Sequence, residues 1–272
     1  IKSSYYQLYW QCECVLFQII LTMKLLLLIP FFLCSFFYCS SQDVNAVIKE
    51  GDIMEAKPDE AGALLKFKEV LKLQPNNLYA LSKCSELCSR IGSRETNGKT
   101  RDEWFVAAMA YANKAMLVAP LSDKSNVAMA MVLGKSSLVQ SGKEKIKNAK
   151  EIKKHVDIAL KANPNNYVAW HILGRWNYEI NNVNSFERTA AKVFFGGLPQ
   201  GSIKNSIMYF EKARSLAPYF ILNDVELAKA YHKDGQTAKA ISILKSLQSY
   251  PISSEDDLKL KQDALNMIKN WQ

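Results

Sequence analysis

Cysteine is nearly missing from most of this chain: of six, Cys12, Cys14, Cys34 and Cys39 precede residue 42, and only Cys84 and Cys88 follow. Two cysteines four apart cannot staple a large body, so a disulfide framework is excluded and both read as small buried apolar residues. Histidine is scarcer still. His155, His171 and His232 stand in three separate helical stretches, with no second ligand at metal-binding spacing. No G-x-S-x-G, P-loop or H-E-x-x-H motif occurs, so no recognised hydrolase, nucleotide or zinc-protease chemistry is signalled, and no cofactor is expected. Glycine and proline are sparse, at 11 and 8 in 272 residues, which argues against β-rich or disordered classes.

What remains is a helix-forming body with punctuation. Apolar runs end at Pro75, Pro120, Pro164, Pro218 and Pro251, at intervals of 45, 44, 54 and 33. Proline cannot continue a helical hydrogen-bond ladder. Against a 34-residue helix-turn-helix unit, the last interval is one bare repeat and the others carry roughly 11, 10 and 20 extra residues. Trp170, Leu173 and Gly174 reproduce the W-x2-L-G opening of a tetratricopeptide repeat, with its tyrosine one place late at Tyr178. The expected fold is all-α: a tetratricopeptide-like right-handed α-solenoid of about five helix pairs with insertions and a C-terminal capping helix.

Along that body, Val47, Gly51 and Met54 pair with Ala63, Phe67 and Val70 across a turn at Lys57-Pro58-Asp59. Leu81, Cys84 and Cys88 lead to Gly92 as a helix C-cap, followed by a surface loop from Ser93 to Arg101. The partner helix then starts at Asp102 and buries Trp104, Ala108, Ala112 and Ala115. A helix over Ser125–Leu138 and a long one over Lys143–Leu160 form the third pair. The fourth holds an inserted helix from Phe186 to Phe194, stopped at Gly196-Gly197, before Phe210 and Ala213. The fifth uses Leu227, Ala228 and Tyr231, then Ala240, Leu244 and Leu247. A last helix over Glu255–Trp271 caps the stack with Leu258, Leu265, Ile268 and Trp271 inward.

Residues 1–41 read as an apolar leader and residues 42–272 as the repeat domain. From Met23, Lys24 and the Leu25–Phe37 run have the form of a signal peptide cleaved near Ser41, which predicts a periplasmic or secreted product. The alternative is a membrane anchor through residues 15–38.

The Trp170 region also carries the resemblance. Ala169–Tyr178, then Glu187-Arg188 with Ala190-Ala191, and the Phe195–Pro199 bend resemble the regulator of microtubule dynamics family. That family is tetratricopeptide-like, and its animal members associate with microtubules and with mitochondrial or endoplasmic-reticulum membranes. The resemblance therefore implies the fold, a protein partner, and microtubules if the chain resides in a eukaryotic cytosol.

Two surfaces are candidates for function. His171, Arg175 and Glu179 recur every four residues and share a helix face with Tyr178 beside them, and Glu187 and Arg188 follow closely in sequence. Arg175 could grip a carboxylate of a peptide and His171 could supply a pH-dependent contact. The bland reading is an ion-pair lattice of Arg175 with Glu179 or Glu187, and a weaker one is an enzyme centred on His171 and Glu187. The second surface is a stripe, Lys143, Lys147, Lys150, Lys154 and Lys161, on the helix that buries Ile152 and Val156. It is read as a solvated face or as a dock for an anionic membrane or polyanion. The net charge of +9 falls to +8 without Lys2, Lys24 and Glu13. A stripe without arginine or interleaved aromatics does not suit nucleic acid.

Overall fold

The computed structural model describes residues 44–137 and 142–272, with the side chains of Lys143, Phe186, Ala190, Phe194 and Phe195 outside the description. The leader residues 1–41, and with them the cleavage and anchor expectations, lie outside the described residues. The chain divides into two units, 1–47 and 48–272, and the second contains the repeat layers.

Helices make up the whole framework of that unit, and among the described residues there is no strand. The first, α1, covers 44–56. It is followed by α2 (Glu60–Leu73), α3 (Leu78–Arg94), α4 (Gly98–Val118), α5 (Asp123–Ser137), α6 (Gly142–Ala162), α7 (Tyr167–Asn182), α8 (Ser185–Phe195), α9 (Ile203–Leu216), α10 (Ile221–Lys233), α11 (Thr237–Ser246) and α12 (Asp257–Trp271). Neighbours pair as α3 with α4, α5 with α6, α7 with α9 and α10 with α11, and the first helices α3, α5, α7 and α10 also touch in succession. This is the layered solenoid expected from the punctuation.

Each of the five prolines stands two residues beyond the last helical residue of its layer, after Leu73, Val118, Ala162, Leu216 and Ser249. The reason is local. A residue before proline is pushed out of the α region, and Gln74, Ala119 and Ala217 take φ of −131°, −148° and −139°. Each still donates its N–H to the carbonyl four residues back, which satisfies part of the helix end. Asparagines two places after Pro75 and Pro164 then start the next helix: Asn77 and Asn166 accept from Ala80 N and Ala169 N at 3.0 Å each.

The core is a chain of small-against-large contacts. Phe67 and Phe210 are fully buried, each under a glycine of the preceding first helix. A Cβ on Gly174 would lie 2.6 Å from Phe210 Cδ1, so the W-x2-L-G glycine is the place where α9 comes closest to α7. Trp176 seals α7 against the preceding layer, donating its indole N–H to Ala149 O at 2.7 Å.

Three expectations are corrected. The polar segment 93–101 is largely helix, because α3 runs on to Arg94 and α4 begins at Gly98, capped by Asn97 rather than Asp102. Gly92 is accordingly inside α3, where a Cβ would meet that of Trp104 at 2.7 Å. Phe105, not Trp104, is the buried aromatic at this position. In the capping helix Leu258 and Leu265 are exposed, and Ala264 is buried with Leu260, Met267, Ile268 and Trp271 packed on the last layer. A helix closing the end of a stack touches it with one narrow stripe, and Asp257 begins that stripe one register away from the assumed one.

Candidate interaction site on the inner wall

The first helices place their polar side chains along one connected wall. From α1 and α3 come Tyr79, whose hydroxyl donates to Asp52 at 2.6 Å, and Lys83 and Arg90, which clamp Glu55 at 2.8 and 2.6 Å. Burial works against the Lys83 charge, but Glu86 and Glu55 together push its pKa up. Glu60, fully buried, is held by Arg94 at 2.6 Å and Arg90 at 3.3 Å. On α10, Glu226 pairs with Lys229 at 2.9 Å. Burial would raise its pKa, yet Lys229 and Arg175 hold it below the usual range.

Between α3, α5 and the start of α7 the wall opens into a cavity of about 330 Å³. Tyr79, Lys83 and Glu86 form one side, Asp123 and Val127 the second, and Asn166 and Tyr167 the third. Ser82 also lines it, and its buried hydroxyl finds no hydrogen-bond partner among the described residues. Burial raises the Glu86 pKa, opposed by Lys83, and no cation lies within ion-pair distance of Glu86 among the described residues. Tyr167 is 41 % exposed and packs edge-on to Phe220 at 5.4 Å. The cavity thus offers two tyrosine rings, an unpaired carboxylate, an ammonium and an unused hydroxyl. Such a set can bind an extended chain through both its backbone and its side chains.

The six residues singled out from sequence are placed elsewhere. His171 is 6 % exposed, set between Phe210 and Phe220, with Nδ1 3.2 Å from Asn223 Oδ1. The Asn223 amide donates to Phe210 O, so its oxygen is the acceptor and His171 is the Nδ1–H tautomer. Burial pushes its pKa down to about 4, with Arg175 adding to the shift and Glu226 opposing it. Arg175 is half-buried, and its Nε is 3.9 Å from exposed Glu179. Tyr178 packs on the last layers under Lys233. Glu187 caps its own helix in a reciprocal box with Asn184, while Arg188 donates to Ile180 O at 2.7 Å. Among the described residues neither forms an ion pair with Arg175, and no hydrogen bond joins Glu187 to His171. Of the lysine stripe, Lys147, Lys150, Lys154 and Lys161 are exposed on α6, with Lys154 3.7 Å from Glu151; the Lys143 side chain lies outside the described residues.

Tyr79, Lys83, Glu86 and Arg90, absent from the expectations, are spaced by 4, 3 and 4 opposite Leu81, Cys84 and Cys88. That polar stripe was available in the sequence, but without a tetratricopeptide motif on its helix nothing marked it.

The paired layers define the chain as a tetratricopeptide-like solenoid. A thermophilic tetratricopeptide protein of Thermus thermophilus superposes with a TM-score of 0.60 at 13 % identity, covering 83 % of this chain and 99 % of its own. The family model for regulator of microtubule dynamics proteins 1–3 matches residues 47–272, and the chain belongs to that family. Regulator of microtubule dynamics protein 1 of Bos taurus is 27 % identical over 238 residues, 84 % of this chain and 75 % of its own length. Protein 2 of Rattus norvegicus is 24 % identical over 174 residues, 64 % of this chain and 42 % of its own length.

Proposed function

We propose that this chain is a non-enzymatic scaffold that holds an extended segment of a partner protein along the wall of its first helices. The observation that carries the reading is the cavity lined by Tyr79, Ser82, Glu86 and Tyr167, where the buried Ser82 hydroxyl has no hydrogen-bond partner and Glu86 no ion pair among the described residues. Buried polar groups are ordinarily satisfied, and an extended backbone would supply the missing donors and acceptors. Capture of a partner from extract should be lost in Tyr167→Ala and Glu86→Ala and kept in Arg188→Ala. Equal capture by all three would refute the reading.

The names of the relatives make microtubules the partner to test first, by cosedimentation of the chain with assembled tubulin. Export after cleavage near Ser41 is a separate proposal, supported by the apolar run behind Met23 and Lys24. N-terminal sequencing of the native protein decides between cleavage and anchoring.

A further inference from the structure

Layers of a solenoid touch only their neighbours, and one contact in this unit breaks that rule. The turn before α12 reaches back 195 positions to α2 and α3. Glu255 Oε1 accepts the Glu60 N–H at 2.9 Å, Glu255 Oε2 lies 3.0 Å from Arg94, and Asp256 lies 3.5 Å from Arg94 Nη1. Asp257 fixes the turn, accepting from the N–H groups of Ser253 and Ser254 at 2.8 and 2.9 Å. The wall thus already holds one acidic stretch of chain by a backbone N–H and a guanidinium.

Cations continue past the point where those acids end. Arg94 Nη1 is buried against Asp256 and makes no hydrogen bond among the described residues. Beside Arg94, Ser93 accepts from Lys135 Nζ at 3.4 Å, the one side-chain hydrogen bond of Lys135 among the described residues. No carboxylate is within ion-pair distance of Lys135 among the described residues, and burial first, then Arg175, push its pKa down. Arg175 has one ion pair among the described residues, the long one to Glu179 at 3.9 Å, and Glu226 lies near enough to feel its charge. Like charges gathered in a poorly solvated place repel, and an anion between them relieves the repulsion.

We propose that Lys135 and Arg175 hold the carboxylates of an acidic segment of the partner protein, laid on the wall beyond Arg94 as Glu255 and Asp256 already are. The inference rests on the groove reading above and specifies the chemistry of its occupant. It is tested by fluorescence anisotropy of the full chain with two labelled octapeptides, one alternating glutamate with serine and the other glutamine with serine. The glutamate probe should bind at least about tenfold more tightly at low salt. Lys135→Met and Arg175→Met should each remove most of that preference, Lys135→Arg should keep it, and Lys147→Met on α6, the second helix of the same pair, should leave it unchanged. Circular dichroism of each variant confirms that it is folded. Equal binding of both probes, or equal loss in Lys147→Met, overturns the proposal. Binding of the glutamine probe that is sensitive to Tyr167→Ala but not to Lys135→Met overturns it while leaving the groove reading intact. Capture of phosphatidylserine vesicles through Lys135, with no binding of the glutamate probe, overturns it in favour of a lipid surface.

Discussion

Acid should unlock the fourth and fifth layers through a single imidazole. His171 is buried between Phe210 and Phe220 as the neutral Nδ1–H form, with its pKa lowered to about 4. In the unfolded chain an imidazole titrates near 6.5. A base whose folded pKa is depressed takes up its proton first in the unfolded state. Its contribution is therefore complete above about pH 6.5, declines as the pH falls, and stops changing below about 4. Between pH 7 and pH 5 the loss works out at about 2 kcal/mol, reaching roughly 3 kcal/mol below pH 4. For a body of this size that corresponds to a fall in Tm of roughly 4–8 °C at pH 5. Glu55, Asp123 and Glu226, whose pKa values are held down, also lose stabilising charge in acid, so the measurement has to be a difference. His171→Phe keeps an aromatic ring in the gap and removes the titration. Its cost, an orphaned Asn223 oxygen, is about 1–3 kcal/mol and independent of pH. Urea unfolding of both proteins at pH 7 and pH 5 should show the wild type losing about 2 kcal/mol more than the variant. Parallel losses, or an imidazole resonance titrating near 6.5 in the folded protein, would refute the burial argument.

Further outcomes follow from the same packing. Gly174→Ala sets a methyl 2.6 Å from Phe210 and should cost about 1–3 kcal/mol in chemical denaturation, whereas a neutral result would mean α7 and α9 can separate freely. Removing the α8 cap with Asn184→Ala should cost about 1 kcal/mol or less and raise amide exchange in α8 alone, since the box joins Asn184 only to Glu187. Cys84 and Cys88 are buried free thiols, pushed up by burial to about 12 and about 11. Their labelling by a thiol reagent at pH 8 should proceed at least a hundredfold, on the order of 10², more slowly in the folded protein than in urea. Glu60→Gln should cost about 1–3 kcal/mol in urea unfolding, because Arg90 and Arg94 lose their shared buried carboxylate while Arg90 keeps Glu55 and Arg94 keeps Glu255.

Helix pairing was legible because each layer announces its end twice, by proline and by the small-large packing around it. Pro75 and Pro164 are each followed by two asparagines that restart the chain as helix, and all five prolines mark the observed ends. Extra length was legible as a number but not as a shape. The first surplus, read as a loop at 93–101, went into lengthening α3 and α4, since nothing in Ser93-Arg94 breaks a helix and Asn97 can cap as well as Asp102. The second went into the long α6. Only the third became a separate element, where Asn184, Glu187 and Gly196 supply a start and a stop of their own.

The wall was less legible than the stack, for a physical reason. A helix face can be read from spacing, but whether a polar side chain on it meets solvent, a partner helix or a distant turn depends on which layers stand opposite. His171, Arg175 and Glu179 do share a face, as i, i+4 spacing requires. Phe210 from its own layer and Phe220 at the start of the next then cover the first of them, while the third stays in solvent. Lys135 illustrates the converse: alone on α5 it resembles any surface lysine. Its chemistry comes from Ser93 and Arg94 on one side, Arg175 on the other, and a turn 195 residues beyond Glu60. Long-range closure of that kind leaves no local pattern, because the acids that define it, Glu255 and Asp256, precede a helix where any capping residue would look the same. The charged lining of a repeat stack is therefore decided between layers, and substitutions at Glu255 and Asp256 should act on the first layers before they act on the last.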